Sequence, residues 1–228
     1  TETCCPSYNR CAILSPYVSG AEENLHLGYM GILLYRKSYA NMPESNLTKK
    51  AIALSAKELT KEKPYDKISI SDIADRCGIK RQTFYYHFRD KYELLVWIYF
   101  NELFAPNMEG ISLENWDEKL GAILTQMQEE KKFYINTIKH AEDYIIQYML
   151  EVAEQTFEEA IDKLDEKSHL KNEERGIFAR FFAYGICGII VEWAKGGMKM
   201  APEKLADYMR EMLEKCKQAV YISDHDRQ

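Results

Sequence analysis

Most signatures of an enzyme or a metalloprotein are missing from this chain of 228 residues. It has no Cys-x-x-Cys or Cys/His spacing of a zinc site, no glycine-rich phosphate loop and no His-Glu-x-x-His motif. Single cysteines such as Cys77 and Cys187 fit reduced core residues of a cytoplasmic protein. The polar cluster His140, Glu142 and Asp143 lacks a second ligand cluster in register, so we interpret it as a surface turn. The sequence therefore predicts no enzyme, no cofactor and no metal.

Long apolar runs and a general excess of positive charge are also absent. The longest near-apolar run, FFAYGICGIIVEW, is shorter than the about 20 residues that span a bilayer, so we predict no membrane segment. The formal net charge of -6 excludes a wholly basic nucleic-acid coat protein. The charge is uneven, however: residues 46–91 hold 11 Lys and Arg against 6 Asp and Glu, and residues 92–228 hold 16 against 26. A basic module therefore precedes an acidic body, and a polyanion would bind the module.

Residues 1–45 show no sustained helical or strand period. Their one apolar piece, GYMGILLY, is too short and too weakly charged in front to be a good signal peptide. Met42 is followed by PESNLTKKA, where polar residues lead into an amphipathic helix. We expect Met42 to be the natural start and residues 1–41 to be upstream sequence. A genuine disordered or loosely packed arm is the alternative.

The rest of the chain has helical periodicity throughout, with roughly nine helices, and predicts an all-α fold. Asn46 is the expected N-cap of a first helix that ends near Glu62. Ser69 and Asp72, three residues apart, form an acidic variant of the capping box for a second helix. Gly78 suits a left-handed residue at the end of that helix.

A third short helix, from Arg81 to Phe88, carries an unusual mixture of rings and positive charge in the stretch CGIKRQTFYYHFRDK. On a 3.6-residue period Phe84 and Phe88 share one face and join Ile73 and Ala74 in a small core. The polar, basic and tyrosine side chains lie on the outer face. Two short helices joined at a glycine describe a helix-turn-helix, and duplex DNA is its natural partner. The alternative is a solvated charged helix whose tyrosines pack on neighbours.

The segment ISISDIADRCGIKRQTFYYHFRDKYELL resembles the DNA-binding signature of the TetR family of bacterial regulators. The resemblance implies an N-terminal three-helix DNA-binding domain at residues 46–91, a helical effector-binding and dimerisation domain at residues 92–222, and a tail at residues 223–228. It also implies a homodimer on a palindromic operator of double-stranded DNA. The residues that it assigns to bases are Arg81, Gln82 and Thr83. Those that it assigns to phosphates are Tyr85, Tyr86, His87, Lys91, Thr48 and Ser71.

Two features concern the acidic body. The run IFARFFAYGICGIIVEWAKGG is apolar on nearly every face, so it must be covered on more than one side. The family resemblance implies that it forms a dimer interface, with Ala183, Gly185 and Gly188 allowing close approach of a second helix. A core helix within one subunit is the alternative. A pocket cannot be located from the sequence, although the rings and methionines at helical spacing could line one or belong to the core: Met127, Phe133, Tyr134, Tyr144, Tyr148 and Met149.

The direction of regulation is open at this level. A repressor released by a small-molecule effector is the default, because occlusion asks only for tight binding. The segment RFFAYGICGIIVEWAKGGMKMAPEKLADYMREML also resembles a subgroup, the activators of dihydroxyacetone kinase operons, which implies an activator with a kinase-like protein coactivator. An enzyme and a pure protein-interaction module are the rival classes, and salt-sensitive binding to duplex DNA separates both from a regulator.

Overall fold

The computed structural model describes residues 43–112, 114–164 and 171–225. Within these ranges every regular element is a helix, which confirms the all-α prediction. Most of them belong to one compact unit that covers residues 47–228. The expectation about residues 1–41 lies outside the described residues. The elements are α1 (Pro43–Leu59), a 3-10 helix (Tyr65–Lys67), α2 (Ile70–Cys77), α3 (Arg81–His87), α4 (Lys91–Ile98), a π-helix (Tyr99–Phe104), α5 (Ala105–Met108), α6 (Trp116–Glu129), α7 (Lys131–His140), α8 (Glu142–Leu164), α9 (Asn172–Lys195) and α10 (Pro202–His225).

Helix α1 begins at Pro43, so the predicted N-cap at Asn46 is wrong. Proline is favoured in the first helical turn because its φ is already helical and it has no N–H to leave unpaired. The predicted apolar face is confirmed, since Ile52 and Ala56 are fully buried and Leu59 nearly so.

The predicted start and end of α2 are confirmed. The Ser69 hydroxyl accepts a hydrogen bond from the backbone N–H of Asp72 at 3.1 Å, and the Asp72 carboxylate accepts one from the backbone N–H of Ser69 at 2.7 Å. Lys63 lies 2.8 Å from the same carboxylate. At the other end Gly78 has φ +70, the left-handed region that glycine adopts without a Cβ penalty.

Helices α2 and α3 pack on each other over the predicted small core. Phe84 has no exposed surface and Phe88 almost none. The two rings lie 5.8 Å apart, and Phe88 also meets Trp97 of α4 edge-on at 5.9 Å. The two phenylalanines therefore fix α3 against its neighbours and leave its opposite face outside.

Helices α8 and α9 form the main packing of the body. Ion pairs join the start of α8 to the end of α9, Glu142 to Lys195 at 2.6 Å, and their middles, Glu154 to Arg180 at 2.8 Å, so the helices run antiparallel. Helix α10 packs on α6, and α7 packs on both α8 and α9. The side chain of Asn115, the residue before α6, bonds to the preceding loop and does not cap the helix.

Helix α9 is longer than the apolar run that predicts it. Its stretch Glu173–Lys195 has the length and composition of a membrane-crossing helix, so the expectation that this segment is too short to span a bilayer is wrong. The core helix of a globular protein has the same composition, and α9 packs along α8. Only 44% of its most apolar window is buried, which leaves an apolar face uncovered in the single chain.

Candidate DNA-binding site

The outer face of α3 presents the side chains that the sequence assigns to bases and phosphates. Arg81 and Gln82 are exposed, and Thr83 is half-buried beside them. One turn further on, Tyr85 is 46% and Tyr86 79% exposed. So much exposed ring surface on a helix whose other face is fully buried indicates a binding surface.

Arg81 is held in place by the tyrosine one turn later. Its Nη2 donates a hydrogen bond to the Tyr85 hydroxyl at 2.9 Å, and its guanidinium carbon lies 5.5 Å from the centre of the Tyr85 ring. A guanidinium has further N–H donors in a fixed plane, which suits paired hydrogen bonds to a guanine edge. The contact with Tyr85 therefore orients the predicted base-reading group before any partner is bound.

His87 lies at the end of α3, half-buried against the edge of the Tyr86 ring. Burial, together with the nearby charge of Lys49, lowers the pKa of the His87 imidazole below its usual value. The ring is therefore neutral at pH 7 and can offer a phosphate a single uncharged N–H donor.

Lys91 has a role inside the protein that the sequence did not indicate. Its Nζ donates to the backbone carbonyls of Tyr65, Asp66 and Ile68 at 3.0, 2.9 and 2.8 Å. The Tyr65 hydroxyl in turn donates to the backbone oxygen of Lys91 at 2.5 Å. Since an ammonium has no donors beyond these three bonds, the predicted phosphate contact would have to replace one of them.

The other predicted phosphate contacts lie on α1 and α2: Thr48 is half-buried in the second turn of α1, and Ser71 is exposed in the first turn of α2. Two cations next to α3 were not assigned from the sequence. Lys80, its N-cap residue, is exposed and its side chain makes no capping hydrogen bond, and the side chain of Arg89 is 84% exposed. Their positions in the sequence, on either side of the predicted contacts, could have identified both cations. Exposed cations therefore lie at both ends of α3, although Arg89 also pairs with Asp90 at 3.4 Å.

A polar cluster connects the first helix to the body, and no local pattern predicts it. Lys57 of α1 bonds Glu102 of the π-helix at 2.7 Å and also pairs with Glu130 before α7. Burial disfavours the charge on Lys57, but the hydrogen bonds to the two carboxylates outweigh it and raise the Lys57 pKa. Gln126 also donates a hydrogen bond to the Glu102 backbone carbonyl at 2.6 Å.

A second connection runs from α7 to the loop between α1 and α2. The Asn136 amide donates to the carbonyls of Thr60 and Lys63 at 2.7 and 3.0 Å, and its oxygen accepts from the Tyr65 N–H at 2.8 Å. Asn136 and Lys91 thus hold this loop from two sides, and the α2–α3 unit is tied to both α4 and α7.

The body contains a cavity of about 260 Å³. Of the six rings and methionines suggested from the sequence, Met127 and Met149 line it. Phe133 and Tyr134 belong instead to the buried core around Tyr99, whose ring lies 5.3 Å from that of Tyr134. Tyr144 is half-exposed and stacks on Tyr92, and Tyr148 packs edge-on against Phe104.

The residues suggested for a dimer interface lie on different sides of α9. Ala183 is fully buried within the chain, so it faces the subunit's own core, whereas Gly185 and Gly188 are exposed. Next to the two glycines lies an apolar stripe whose residues were not predicted as part of the interface. Its helical spacing was the available signal, and its members are Ile177, Phe178, Phe181 and Tyr184, each at least 45% exposed.

Within the described ranges, no three His, Cys, Asp or Glu side chains are grouped to hold a metal ion. His140 is exposed and lies 3.6 Å from Asp66. Cys187 is a free thiol whose pKa is raised to about 12 by burial, which fits its predicted role as a reduced core residue.

Together, the α2–glycine–α3 arrangement and its basic outer face define a helix-turn-helix DNA-binding protein with a helical body. Two family models match the chain: "Bacterial regulatory proteins, tetR family" at residues 52–97 and "Transcriptional regulator C-terminal region" at residues 114–215. The chain belongs to the TetR family of bacterial transcription regulators. Neither match is to a family of enzymes.

The relatives agree with this assignment. The HTH-type dhaKLM operon transcriptional activator DhaS of Lactococcus lactis subsp. lactis (strain IL1403) is 30% identical over 160 residues, which cover 68% of this chain and 83% of DhaS. The solved structure of a dihydroxyacetone kinase operon activator DhaS matches with a TM-score of 0.57 and 30% identity, over 74% of this chain and 94% of that chain. The repressor FadR of Thermus thermophilus, solved with lauroyl-CoA, matches with a TM-score of 0.53 and 16% identity over 72% and 92%, and shows the fold alone.

Proposed function

We propose that this protein is a homodimeric, sequence-specific regulator that binds a two-fold symmetric operator through α3. The observation that carries the proposal is the outer face of α3, where Arg81 is held on Tyr85 between exposed cations. Arg81, Gln82 and Thr83 are the proposed base contacts. Tyr85, Tyr86, His87, Thr48 and Ser71 are the proposed phosphate contacts, with Lys80 and Arg89 added from the structure.

Two arguments support dimerisation: the geometry of DNA half-sites and the exposed apolar surface of α9. One short recognition helix reads only a few base pairs, while two related by a two-fold axis read half-sites about 34–36 Å apart. The exposed stripe on α9 offers apolar surface for such a pair, and Gly185 and Gly188 let a second helix approach. Tyr208 and Met212 expose further apolar surface on α10. A protein that binds the chromosome in this way acts in the bacterial cytoplasm.

The proposed switch runs from the cavity to α1. Phe104, the last residue of the π-helix, lines the cavity, and Glu102 of the same turn bonds Lys57 of α1. An occupant that shifts the π-helix would move Glu102 and so change the angle between the two DNA-binding domains of the dimer. An effector that binds one of the two arrangements more tightly by about 1–3 kcal/mol, a difference typical of allosteric proteins, is enough to release DNA. Repression by occlusion, relieved by such an effector, is the proposed default.

The test is fluorescence anisotropy of the full chain with a mixed-sequence labelled duplex across a salt series. Two cationic phosphate contacts per subunit, Lys80 and Arg89, give a slope near −4 for log K against log salt. Arg89→Ala should reduce the size of that slope by about 2 per dimer. Lys132→Ala, an exposed cation of α7, is the matched control and should leave it unchanged. A wild-type slope near zero would contradict the proposal.

Activation with a protein coactivator is the second candidate. It is favoured by the 30% identity to DhaS, which is named as an activator. A reporter gene behind the operator separates the two directions: expression that falls when the protein is added supports repression. Expression that rises only when a second protein from the same operon is present supports the coactivator.

A further inference from the structure

The cavity in the body extends along α8. Its lining on α8 begins at Met149 and ends at Lys163, which corresponds to about 21 Å along the helix at 1.5 Å per residue. A volume of about 260 Å³ distributed over that length suits an extended chain. An apolar cavity of about 150 Å³ binds a benzene of six carbons, so a cavity of about 260 Å³ has room for on the order of ten carbons.

The two ends of the cavity differ in polarity. Met149 at one end is buried, as are Cys187 and Ile190 of α9, which line the cavity too. At the other end, Glu159 and Lys163 are exposed and Ser112 is half-buried. The cavity is therefore closed and apolar at the Met149 end and polar at a mouth near the end of α8.

The interior offers almost nothing to a hydroxylated ligand. The one polar side chain deep on α8, Thr156, already donates its hydroxyl hydrogen to the Val152 carbonyl at 2.8 Å. A buried hydroxyl without a partner costs about 1–3 kcal/mol, so a small polyol is penalised at each of its hydroxyls. A hydrocarbon chain gains from the same walls, because every methylene leaves water.

The mouth carries charges of both signs. The pKa of the Glu114 carboxyl is lowered mainly by a hydrogen bond with Ser112, and the nearby charge of Lys163 adds to the effect. A cation, a hydroxyl and carboxylates thus meet where a ligand's head would reach solvent.

We propose that the cavity binds a straight-chain acyl amphiphile of about ten carbons, with its tail at Met149 and its polar head at the mouth beside Ser112 and Lys163. Binding itself is independent of the DNA-binding role. The further statement, that the occupant is the effector that acts through Phe104, rests on the proposed function.

The test is calorimetric titration of the full chain with hexanoate, octanoate, decanoate and hexadecanoate, each below its micelle concentration, and with decanol and glycerol. The dissociation constant should fall about fourfold per methylene, equivalent to ~0.8 kcal/mol, and stop improving near ten carbons. Glycerol should not bind. Binding of decanoate and decanol alike supports recognition of the chain, and binding of decanoate alone assigns the carboxylate as the head. Affinity that does not depend on chain length, or binding of glycerol alone, would overturn the proposal.

Two variants, each with one alanine replaced by phenylalanine, show whether the titrated site is this cavity. Ala153→Phe, in the deep half of the α8 lining, should move the best chain length to shorter acids. Ala122→Phe, exposed on α6 and outside the cavity lining, is the matched control and should bind like the wild type. An unchanged chain-length profile in Ala153→Phe, with a wild-type circular dichroism spectrum, would place the ligand elsewhere.

The ligand proposal and the DNA-binding proposal fail separately. Calorimetry reads ligand binding without DNA, and anisotropy reads DNA binding without ligand. If decanoate binds the cavity and DNA affinity changes at least fivefold, the occupant is the effector. If decanoate binds and DNA affinity does not change, the effector role is wrong although the site stands.

Discussion

Replacement of Lys57 by methionine tests whether the α1 cluster connects the DNA-binding domain to the body. The side chain of Lys57 is 12% exposed, and those of Glu102 and Glu130 are 28% and 35% exposed. Hydrogen bonds to charged groups contribute about 1.5–3 kcal/mol each when they are buried, and partial exposure of the carboxylates reduces this. The variant also leaves two carboxylates facing each other. We therefore expect Lys57→Met to lower the free energy of unfolding by about 2 kcal/mol.

The assay is urea unfolding of the full chain, with the shift taken from the midpoint at constant m-value. Lys61→Met, an exposed lysine just beyond α1, is the matched control and should stay within about 0.5 kcal/mol of the wild type. A double-mutant cycle with Glu102→Gln should give a coupling energy of about 1 kcal/mol. If Lys57→Met behaves like the control, or if the coupling is below about 0.3 kcal/mol, the cluster does not hold α1 to the body.

Three further results are expected. Ser69→Ala should lower the free energy of unfolding by about 1 kcal/mol, because it removes a cap that Ser71→Ala in the same turn leaves intact. The imidazole of His87 should titrate below pH 6.5 by NMR; because the unfolded chain then binds the proton first, stability should fall as the pH drops below about 6.5, and His87→Gln should remove that loss. Phe181→Glu should yield monomers in sedimentation and weaken binding to a two-fold site, while Ala122→Glu should remain dimeric. Dimers of Phe181→Glu at wild-type affinity would exclude α9 as the interface.

The parts of the fold that could be predicted depend on short-range signals. Ser69 and Asp72 stand three residues apart, Gly78 follows directly, and Phe84 and Phe88 repeat at one turn, so each pattern is visible within a few residues. The same local signals indicated which face of α3 would be outside.

Contacts between residues far apart in the sequence are not indicated by any such local pattern. The carboxylate partners of Lys57 lie 45 and 73 positions further along the chain, and Asn136 reaches back to Thr60, so neither contact has a period or a motif. Lys91 is a different case. Its place in a DNA-binding motif predicted a phosphate contact, but its three carbonyl partners lie in or just after a 3-10 helix whose position the sequence does not indicate.

The most direct test of the account is a selection from random duplex DNA with the full chain and its Arg81→Ala variant in parallel. We expect the wild type to recover a two-fold symmetric site with half-sites about one helical turn apart. The variant should lose a guanine preference in each half-site, which corresponds to about 1–3 kcal/mol of discrimination. No enrichment by the wild type, or an identical site from the variant, would contradict the assignment of α3 as the reading helix.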